Sequence, residues 1–325
     1  MSEESATEIT DAPCPRKAGL LQKTLPLLIA AACFAYLYGK LSAAAGQQGL
    51  TLFAYLGGVF AHVEWGSWLL LMVPYSFFFF LIDTGVVWRV VGDFNTRVRY
   101  RDMLPIRGSS YILSILNEQV GKGAMGLYLN RRYGVPGWEV GSSMLFIMFC
   151  EFYYLLAWAT LGWWIGGDAL PAIFGWIPWI AAVAGLFFGA WLFVFRGSMS
   201  RPPAFRDRPV FKAFREARLR NYLTVVAMRS PALLAAVVIY TLALRLFGVE
   251  ASFIQMLGYL PVIFFGAATP GPMRTGAITL WVALFPEKQA GEMAAFGLVQ
   301  HNFFIFFNAA IGLIFLRRAN RELFD

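Results

Sequence analysis

Long uninterrupted apolar runs constrain this chain more than any other feature of its sequence. A run of about 20 apolar residues lets a helix cross the hydrocarbon layer of a membrane, which is about 30 Å thick, at about 1.5 Å per residue. Runs that reach this length lie at 24–45, 67–91, 140–166, 172–195, 221–247 and 290–316. They predict six transmembrane helices in an all-α polytopic membrane protein.

Composition excludes the main alternative classes of protein. Hydrophobic residues make up 58% of the 325 residues and charged residues only 14%, whereas soluble domains carry about 25% charged residues. The net charge of +8 could suit nucleic acid, but Lys and Arg lie at the ends of apolar runs, where they set topology and contact lipid. We expect no nucleic-acid partner. The three cysteines and the absence of catalytic or metal-ligand motifs predict no catalytic residues, no metal and no other cofactor.

Two further apolar stretches, 104–130 and 252–285, are each interrupted by polar and helix-breaking residues. The first break reads Asn117-Glu118-Gln119-Val120-Gly121-Lys122-Gly123, and the second reads Thr269-Pro270-Gly271-Pro272-Met273-Arg274-Thr275-Gly276. Arms of about a dozen residues are too short to cross, so each stretch predicts a re-entrant hairpin. Irregular backbone at membrane depth is tolerated only inside protein or beside a wet cavity. We therefore expect the hairpin tips to lie in the protein interior.

The distribution of basic residues predicts the orientation, because cytoplasmic loops are rich in Lys and Arg. Arg16, Lys17 and Lys23 precede the first run, whereas 46–66 contains no basic residue. The other basic positions predicted to be cytoplasmic are Arg89, Arg97, Arg99, Arg101, Arg107, Arg131, Arg132, the loop 196–220, and Arg317, Arg318 and Arg321. Both termini are thus predicted to be cytoplasmic. The two hairpins would enter from opposite sides and meet near mid-membrane.

The chain also reads as two similar halves. A shift of 150 residues carries Gly108 onto Gly258 and Gly162 onto Gly312, and it overlays each crossing and hairpin on a counterpart. Each half has three crossings, an odd number, so the second must be inverted relative to the first, as in many transporters. The predicted segments are a disordered tail (1–23), a first membrane repeat (24–166), a second membrane repeat (167–316) that includes the basic loop 196–220, and a second tail (317–325).

The two breaks supply candidate residues for binding a phosphate group. In the second break, Arg274 lies beside Thr269, Gly271 and Thr275, and a guanidinium at a turn before a helix matches phosphate oxygens. The alternative is that Arg274 only snorkels or pairs structurally. In the first break, Asn117, Glu118 and Lys122 either provide a second phosphate contact or satisfy the bend through an i,i+4 pair of Glu118 with Lys122.

Ionisable residues inside the predicted crossings form a second group of candidates. Glu151 and His301 occupy equivalent positions in the two repeats, and intramembrane charge is costly and usually functional, so both are candidates for proton coupling. Alternatively, His301 acts as interhelical hydrogen-bond glue. Arg229 is expected to snorkel towards the cytoplasmic surface as a secondary contact for a lipid head group. The remaining intramembrane charges, Lys40, Asp83, Arg89 and Arg245, are expected to be interface anchors.

Residues 109–162 and 251–318 resemble the lysylphosphatidylglycerol synthase transmembrane-region family, also called flippase-like membrane proteins. The motifs that carry the resemblance are Asn117, Gly121-Lys122, Arg131-Arg132 and Gly134-Val135 in the first stretch, and Thr269-Pro270-Gly271 and Gly276-Ala277 in the second. Val120 stands where that family usually has proline. The resemblance implies translocation of an anionic phospholipid or a polyprenyl-phosphate lipid across a bacterial cell membrane, with a lipid-synthesis enzyme as a possible partner.

A second, more local resemblance implies an enzyme alternative. Pro270-Gly271, Arg274-Thr275-Gly276-Ala277 and Thr279 are similar to a signature of membrane undecaprenyl-diphosphate phosphatases, although Met273 replaces its serine. The leading hypothesis is a lipid flippase-like transporter for an anionic or phosphate-bearing lipid. An integral membrane polyprenyl-diphosphate phosphatase and a non-transporting lipid-binding accessory subunit are the alternatives.

Overall fold

The computed structural model describes residues 20–114, 118–197, 204–267, 275–286 and 289–324, and all regular structure in these ranges is helical. The α-helices are α1 (Leu20–Gln47), α2 (Leu52–Ala61), α3 (Trp65–Phe94), α4 (Tyr100–Ser114), α5 (Glu118–Tyr133), α6 (Gly137–Gly166), α7 (Ile177–Arg196), α8 (Lys212–Glu216), α9 (Leu219–Arg245), α10 (Phe253–Ala267), α11 (Thr275–Leu284) and α12 (Ala290–Phe324). Short 3-10 helices occupy Gly167–Ala169, Ala172–Trp176, Ala204–Asp207 and Pro209–Phe211.

Within the described ranges, 5 helices are long and apolar enough to cross a membrane. They are Trp65–Phe94, Gly137–Ala169, Ala172–Arg196, Leu219–Arg245 and Ala290–Ala319. These helices coincide with the second to sixth predicted crossings, and they indicate a membrane-embedded, all-α protein. The first predicted crossing lies within α1, a helix of 28 residues that is not among the 5.

Each of the two interrupted stretches forms a pair of short helices that fold back on each other. A methyl group added at Gly121 of α5 would lie 2.7 Å from the carbonyl oxygen of Ser110 in α4. A straight helix would place these two residues about 16 Å apart, so the chain reverses between them. In the second pair, a methyl group at Gly266 of α10 would lie 3.1 Å from the carbonyl oxygen of Gly276 in α11. Residues 115–117 and 268–274, which connect the two helices of each pair, lie outside the described residues.

Two close helix crossings join the first half of the chain to the second. Helix α6 packs along α10, and α12 packs along α4. A methyl group added at Gly162 of α6 would lie 2.7 Å from the Cα of Gly258 in α10, and one at Gly312 of α12 would lie 2.5 Å from the carbonyl oxygen of Gly108 in α4. The long helix α6 of the first half therefore contacts the backbone of the short helix α10 of the second half. The long helix α12 of the second half likewise contacts the backbone of the short helix α4 of the first half.

We expect Gly162→Ala to lower the melting temperature of the detergent-solubilised protein, because the new methyl group overlaps the backbone of α10. Overpacking of this kind usually costs about 1–3 kcal/mol. Gly185→Ala in α7 is the matched control, since no atom lies within 4 Å of its added methyl group and alanine favours a helix interior over glycine. Equal melting temperatures for the two variants would contradict this close crossing.

The basic segment between α7 and α9 folds against the N-terminal part of α6. The ammonium group of Lys212 lies 2.6 Å from a carboxylate oxygen of Glu139, and the backbone N–H of Ala213 donates to the hydroxyl of Ser142 at 2.9 Å. Phe214 is buried and packs edge to face against Phe146 of α6. The described part of the predicted basic loop is therefore packed against the N-terminal part of α6.

Candidate functional site

A cavity of about 420 Å³ lies among α3, α4, α6, α9, α10 and α12. This volume falls in the range of small-molecule sites, about 300–1,000 Å³. Both helical hairpins reach it, because Ser114 and Ala267, the last described residues before the two breaks, are part of its lining. The cavity is therefore the place where the two halves and the two hairpins converge.

Asp83 of α3 is the most enclosed charged residue of the cavity. Its side chain accepts a hydrogen bond of 2.6 Å from Nε of Arg107 and another of 2.6 Å from the hydroxyl of Tyr111, both in α4. The guanidinium of Arg107 also lies over the ring of Tyr111, 4.6 Å from its centroid. Short charge-assisted bonds of this kind are strong. They fix α4 against α3 and hold the Asp83 carboxylate in place.

Arg229 of α9 lies between two carboxylates. Its guanidinium nitrogens are 3.4 Å from a carboxylate oxygen of Asp83 and 3.4 Å from one of Glu151. Both distances exceed the usual range of about 2.7–3.2 Å for an N–H donor and its acceptor. The Nε of Arg229 is buried and has no hydrogen-bond partner among the described residues. A guanidinium offers five N–H donors, and the contacts of the two terminal nitrogens with the carboxylates are both long, so these nitrogens of Arg229 retain hydrogen-bonding capacity for a ligand.

Contacts from α6 position this part of α9. The hydroxyl of Tyr154 donates to the carbonyl of Arg229 at 3.4 Å, and the indole N–H of Trp158 donates to the hydroxyl of Ser230 at 3.0 Å. Pro231 follows directly within the helix. Proline removes one intrahelical hydrogen bond and disturbs the preceding turn. The side chains of α6 therefore bind a stretch of α9 whose own helical bonding is weakened.

Among the described residues, four charged side chains line the cavity, and they balance as two guanidiniums and two carboxylates. Leaving one of them without a partner inside the bundle would be costly. They differ in exposure: the side chain of Asp83 is 4% exposed, whereas that of Glu151 is 41% exposed. The contact between Arg229 and Glu151 is therefore the most exposed ion pair of this network.

Helix α12 contributes three polar side chains to the wall of the cavity. Gln300, His301 and Asn308 are all buried in this wall, and the amide nitrogen of Gln300 donates to the hydroxyl of Tyr240. The amide oxygens of Gln300 and Asn308 are buried without hydrogen-bond partners among the described residues. Such groups are costly in a dry interior, which favours a hydrated or ligand-filled cavity.

The structure brings together three residues that the sequence singled out: Glu151, Arg229 and His301 all line the cavity. Thr275 is buried at the start of α11 and is not part of the described lining. Other predicted binding residues lie outside the described residues, namely Asn117, Thr269, Gly271 and Arg274, and so do the side chains of Glu118 and Lys122. Their predicted contact with a phosphate group stays a prediction.

Two expectations about charged residues are wrong. Arg229 does not snorkel to the surface, because its side chain is enclosed between Asp83 and Glu151. Asp83 is not an interface anchor, because its carboxylate forms an ion pair of 2.6 Å with Arg107 inside the bundle. An Asp within one apolar run and an Arg near the start of the next segment are the signal that could have suggested this pairing.

No family model, no curated protein and no solved structure matches the chain. Among the described residues, no group of three or more His, Cys, Asp or Glu side chains is arranged to hold a metal ion. The ionic network of Asp83, Arg107, Glu151 and Arg229 is therefore the chemical feature from which a function can be inferred.

Proposed function

We propose that the protein is a flippase-like transporter that moves an anionic or phosphate-bearing lipid between the leaflets of its membrane. The observation that carries this proposal is Arg229, a buried cation with unused hydrogen-bonding capacity that lines a cavity of head-group size. A guanidinium matches the geometry of phosphate oxygens. Buried charges at membrane depth face substrate or ion pathways more often than lipid.

The lining of the cavity supports an amphipathic substrate. Asp83, Arg107, Glu151 and Arg229 form a charged end, whereas aromatic side chains form much of the remaining wall. These aromatic residues are Phe79, Phe152, Phe264, Phe265 and Phe304. A head group would contact the charged end, and the apolar part of the same molecule would contact the aromatic wall. A small soluble ion would leave that wall without a partner.

We further propose that the six predicted crossings and two opposed re-entrant hairpins form an inverted repeat. The contacts support this repeat. Helices α4 and α12 meet at Gly108 and Gly312, and helices α10 and α6 meet at Gly258 and Gly162. A shift of 150 residues carries Gly108 onto Gly258 and Gly162 onto Gly312, so the two crossings correspond to each other. Inverted repeats switch access by rocking one half against the other around a central site. The cytoplasmic location of both termini and the bacterial cell membrane remain part of this proposal.

Proton coupling through Glu151 and His301 is consistent with their place in the cavity wall. Protonation of Glu151 would remove one of the two carboxylates that face Arg229. The guanidinium of Arg229 could then pair with a phosphate. The negative charge of the phosphate would replace that of Glu151, so the net charge of the cavity would not change. A lipid phosphate and a proton would therefore bind together, and a pH gradient could drive the lipid across the membrane.

The variant Glu151→Gln tests this coupling. We expect it to exchange lipid at a rate that no longer responds to an imposed pH gradient, because the amide cannot take up the proton. Glu139→Gln on the same helix, outside the cavity lining, is the control and should keep the wild-type response. A gradient response in Glu151→Gln equal to that of wild type would remove Glu151 from the coupling mechanism.

The function itself is tested with purified protein reconstituted into vesicles that contain a fluorescent phosphatidylglycerol or a fluorescent polyprenyl phosphate. A membrane-impermeant quencher reports how much of the lipid reaches the outer leaflet. We expect exchange in protein-containing vesicles and none in empty ones. Release of inorganic phosphate from a polyprenyl diphosphate without exchange would instead support the phosphatase alternative. Saturable lipid binding without exchange would support an accessory subunit.

A further inference from the structure

A second cavity lies on the outer face of the bundle, between α6 and α7. It is an apolar groove of about 630 Å³. Phe149, Phe152 and Tyr153 form its α6 wall, and residues that include Trp179 and Val183 form its α7 wall. The hydroxyl of Tyr153 donates to the carbonyl of Ala184 at 2.8 Å, so it is already satisfied within the wall. The groove thus presents a hydrocarbon-like surface.

The groove and the charged cavity share one side chain. Phe152 lines both, and its ring meets the ring of Phe265 edge to face, with centroids 5.4 Å apart. Phe265 belongs to α10 and lines the charged cavity. These two rings therefore form part of the wall between the cavity and the lipid-facing groove, at the line where α6 packs against α10.

We infer that the groove binds the hydrocarbon chain of the lipid whose head group occupies the charged cavity, and that this lipid moves laterally past Phe152 and Phe265. A head group and its chain are covalently joined, so a site for one must adjoin a site for the other. The groove is an apolar site that adjoins the charged cavity through the shared side chain of Phe152. The inference rests on the proposed function and adds the side of the bundle on which the lipid binds.

Filling the groove tests the inference without touching the ionic network. Val183 and Leu186 both lie on α7 and are 68% and 77% exposed, but only Val183 lines the groove. We expect Val183→Trp to slow leaflet exchange about tenfold, because the larger side chain occupies the space of the lipid chain. Leu186→Trp, the matched control, should exchange lipid at the wild-type rate. Equal rates for the two variants would overturn the inference.

A photolabelling experiment separates a bound lipid chain from the bulk lipid that covers any membrane protein. The probe is a phosphatidic acid with a diazirine in its acyl chain, reconstituted with the full chain. We expect labels that excess unlabelled phosphatidic acid displaces at the residues that line the groove, whereas Leu186 takes up only the labelling of bulk lipid. In Arg229→Ala, labelling of the groove should fall to the level seen at Leu186, because the head group is no longer held.

Groove labelling that persists in Arg229→Ala, or that does not saturate, would show ordinary surrounding lipid and would overturn the inference. Labelling of the groove that depends on Arg229, in a wild-type protein that exchanges no lipid, would support the inference and overturn the proposed transport. The folded state of each variant is checked by its elution as a single species in detergent. The two hypotheses can therefore fail separately.

Discussion

Replacing Arg229 with alanine is expected to slow lipid exchange in reconstituted vesicles about 10–100-fold. The substitution removes the buried cation that faces both the cavity and Glu151. A hydrogen bond to a charged group contributes about 1.5–3 kcal/mol, which corresponds to a loss in rate of about 10–100-fold. Asp83 keeps its bonds to Arg107 and Tyr111, so we expect the bundle to remain folded.

Two further variants make this result specific. Arg229→Lys keeps the positive charge but loses the planar fork of donors, and it should restore only part of the exchange rate. Arg220→Ala removes an exposed arginine from the same helix and should exchange lipid as the wild type does. Normal exchange by Arg229→Ala would refute the assignment of the binding site.

The second large effect is expected on stability, from Asp83→Ala. This change leaves the guanidiniums of Arg107 and Arg229 inside the bundle without the carboxylate that separates them. Removing one partner of a buried ion pair costs about 3–5 kcal/mol. We therefore expect a large drop in melting temperature in detergent. The control is Asp93→Ala at the end of the same helix, where Asp93 is exposed and pairs with Arg89 at 3.2 Å. Such a surface pair contributes about 0–1 kcal/mol.

A double variant identifies the cause of that loss. If the cost of Asp83→Ala comes from stranded positive charge, then adding Arg107→Gln should recover part of the lost stability. Residues in direct contact show interaction energies of about 0.5–3 kcal/mol in such cycles. Strict additivity of the two single effects would contradict a coupled network. Wild-type stability of Asp83→Ala alone would show that the carboxylate is not essential to the fold.

The positions of the membrane helices could be predicted from the sequence because hydrophobic length is a local property. The runs from 67–91 onwards coincide with 5 long apolar helices. The two interrupted stretches were also predictable, because helix-breaking residues and short arms exclude a continuous crossing. Both stretches form paired short helices in the described residues, but residues 118–123 of the predicted first break are helical and belong to α5, and Thr275 and Gly276 of the predicted second break belong to α11. The orientation and the class of lipid remain predictions.

The candidate site was only partly predictable. Glu151, Arg229 and His301 stood out because charged or polar residues are rare in apolar runs. Asp83, which pairs with Arg229, and Arg107, which pairs with Asp83, did not stand out. Both lie near the ends of their segments, where the sequence favours interface anchoring. The sequence also directed attention to Arg274 and Lys122 in the hairpin breaks, whereas the described cavity is built around Arg229.

The sequence by itself determined that this chain is helical, apolar enough for a membrane, and interrupted in two of its apolar stretches. The tertiary structure alone decided which charges meet. Asp83 and Arg229 are 146 residues apart in the chain and come within 3.4 Å of each other. Such a contact depends on how α3 and α9 cross and on the rotation of each helix about its axis. Hydropathy specifies neither the crossing of the helices nor their rotation, because hydropathy depends only on local composition. Helix packing depends on the shapes of all the side chains at the interface.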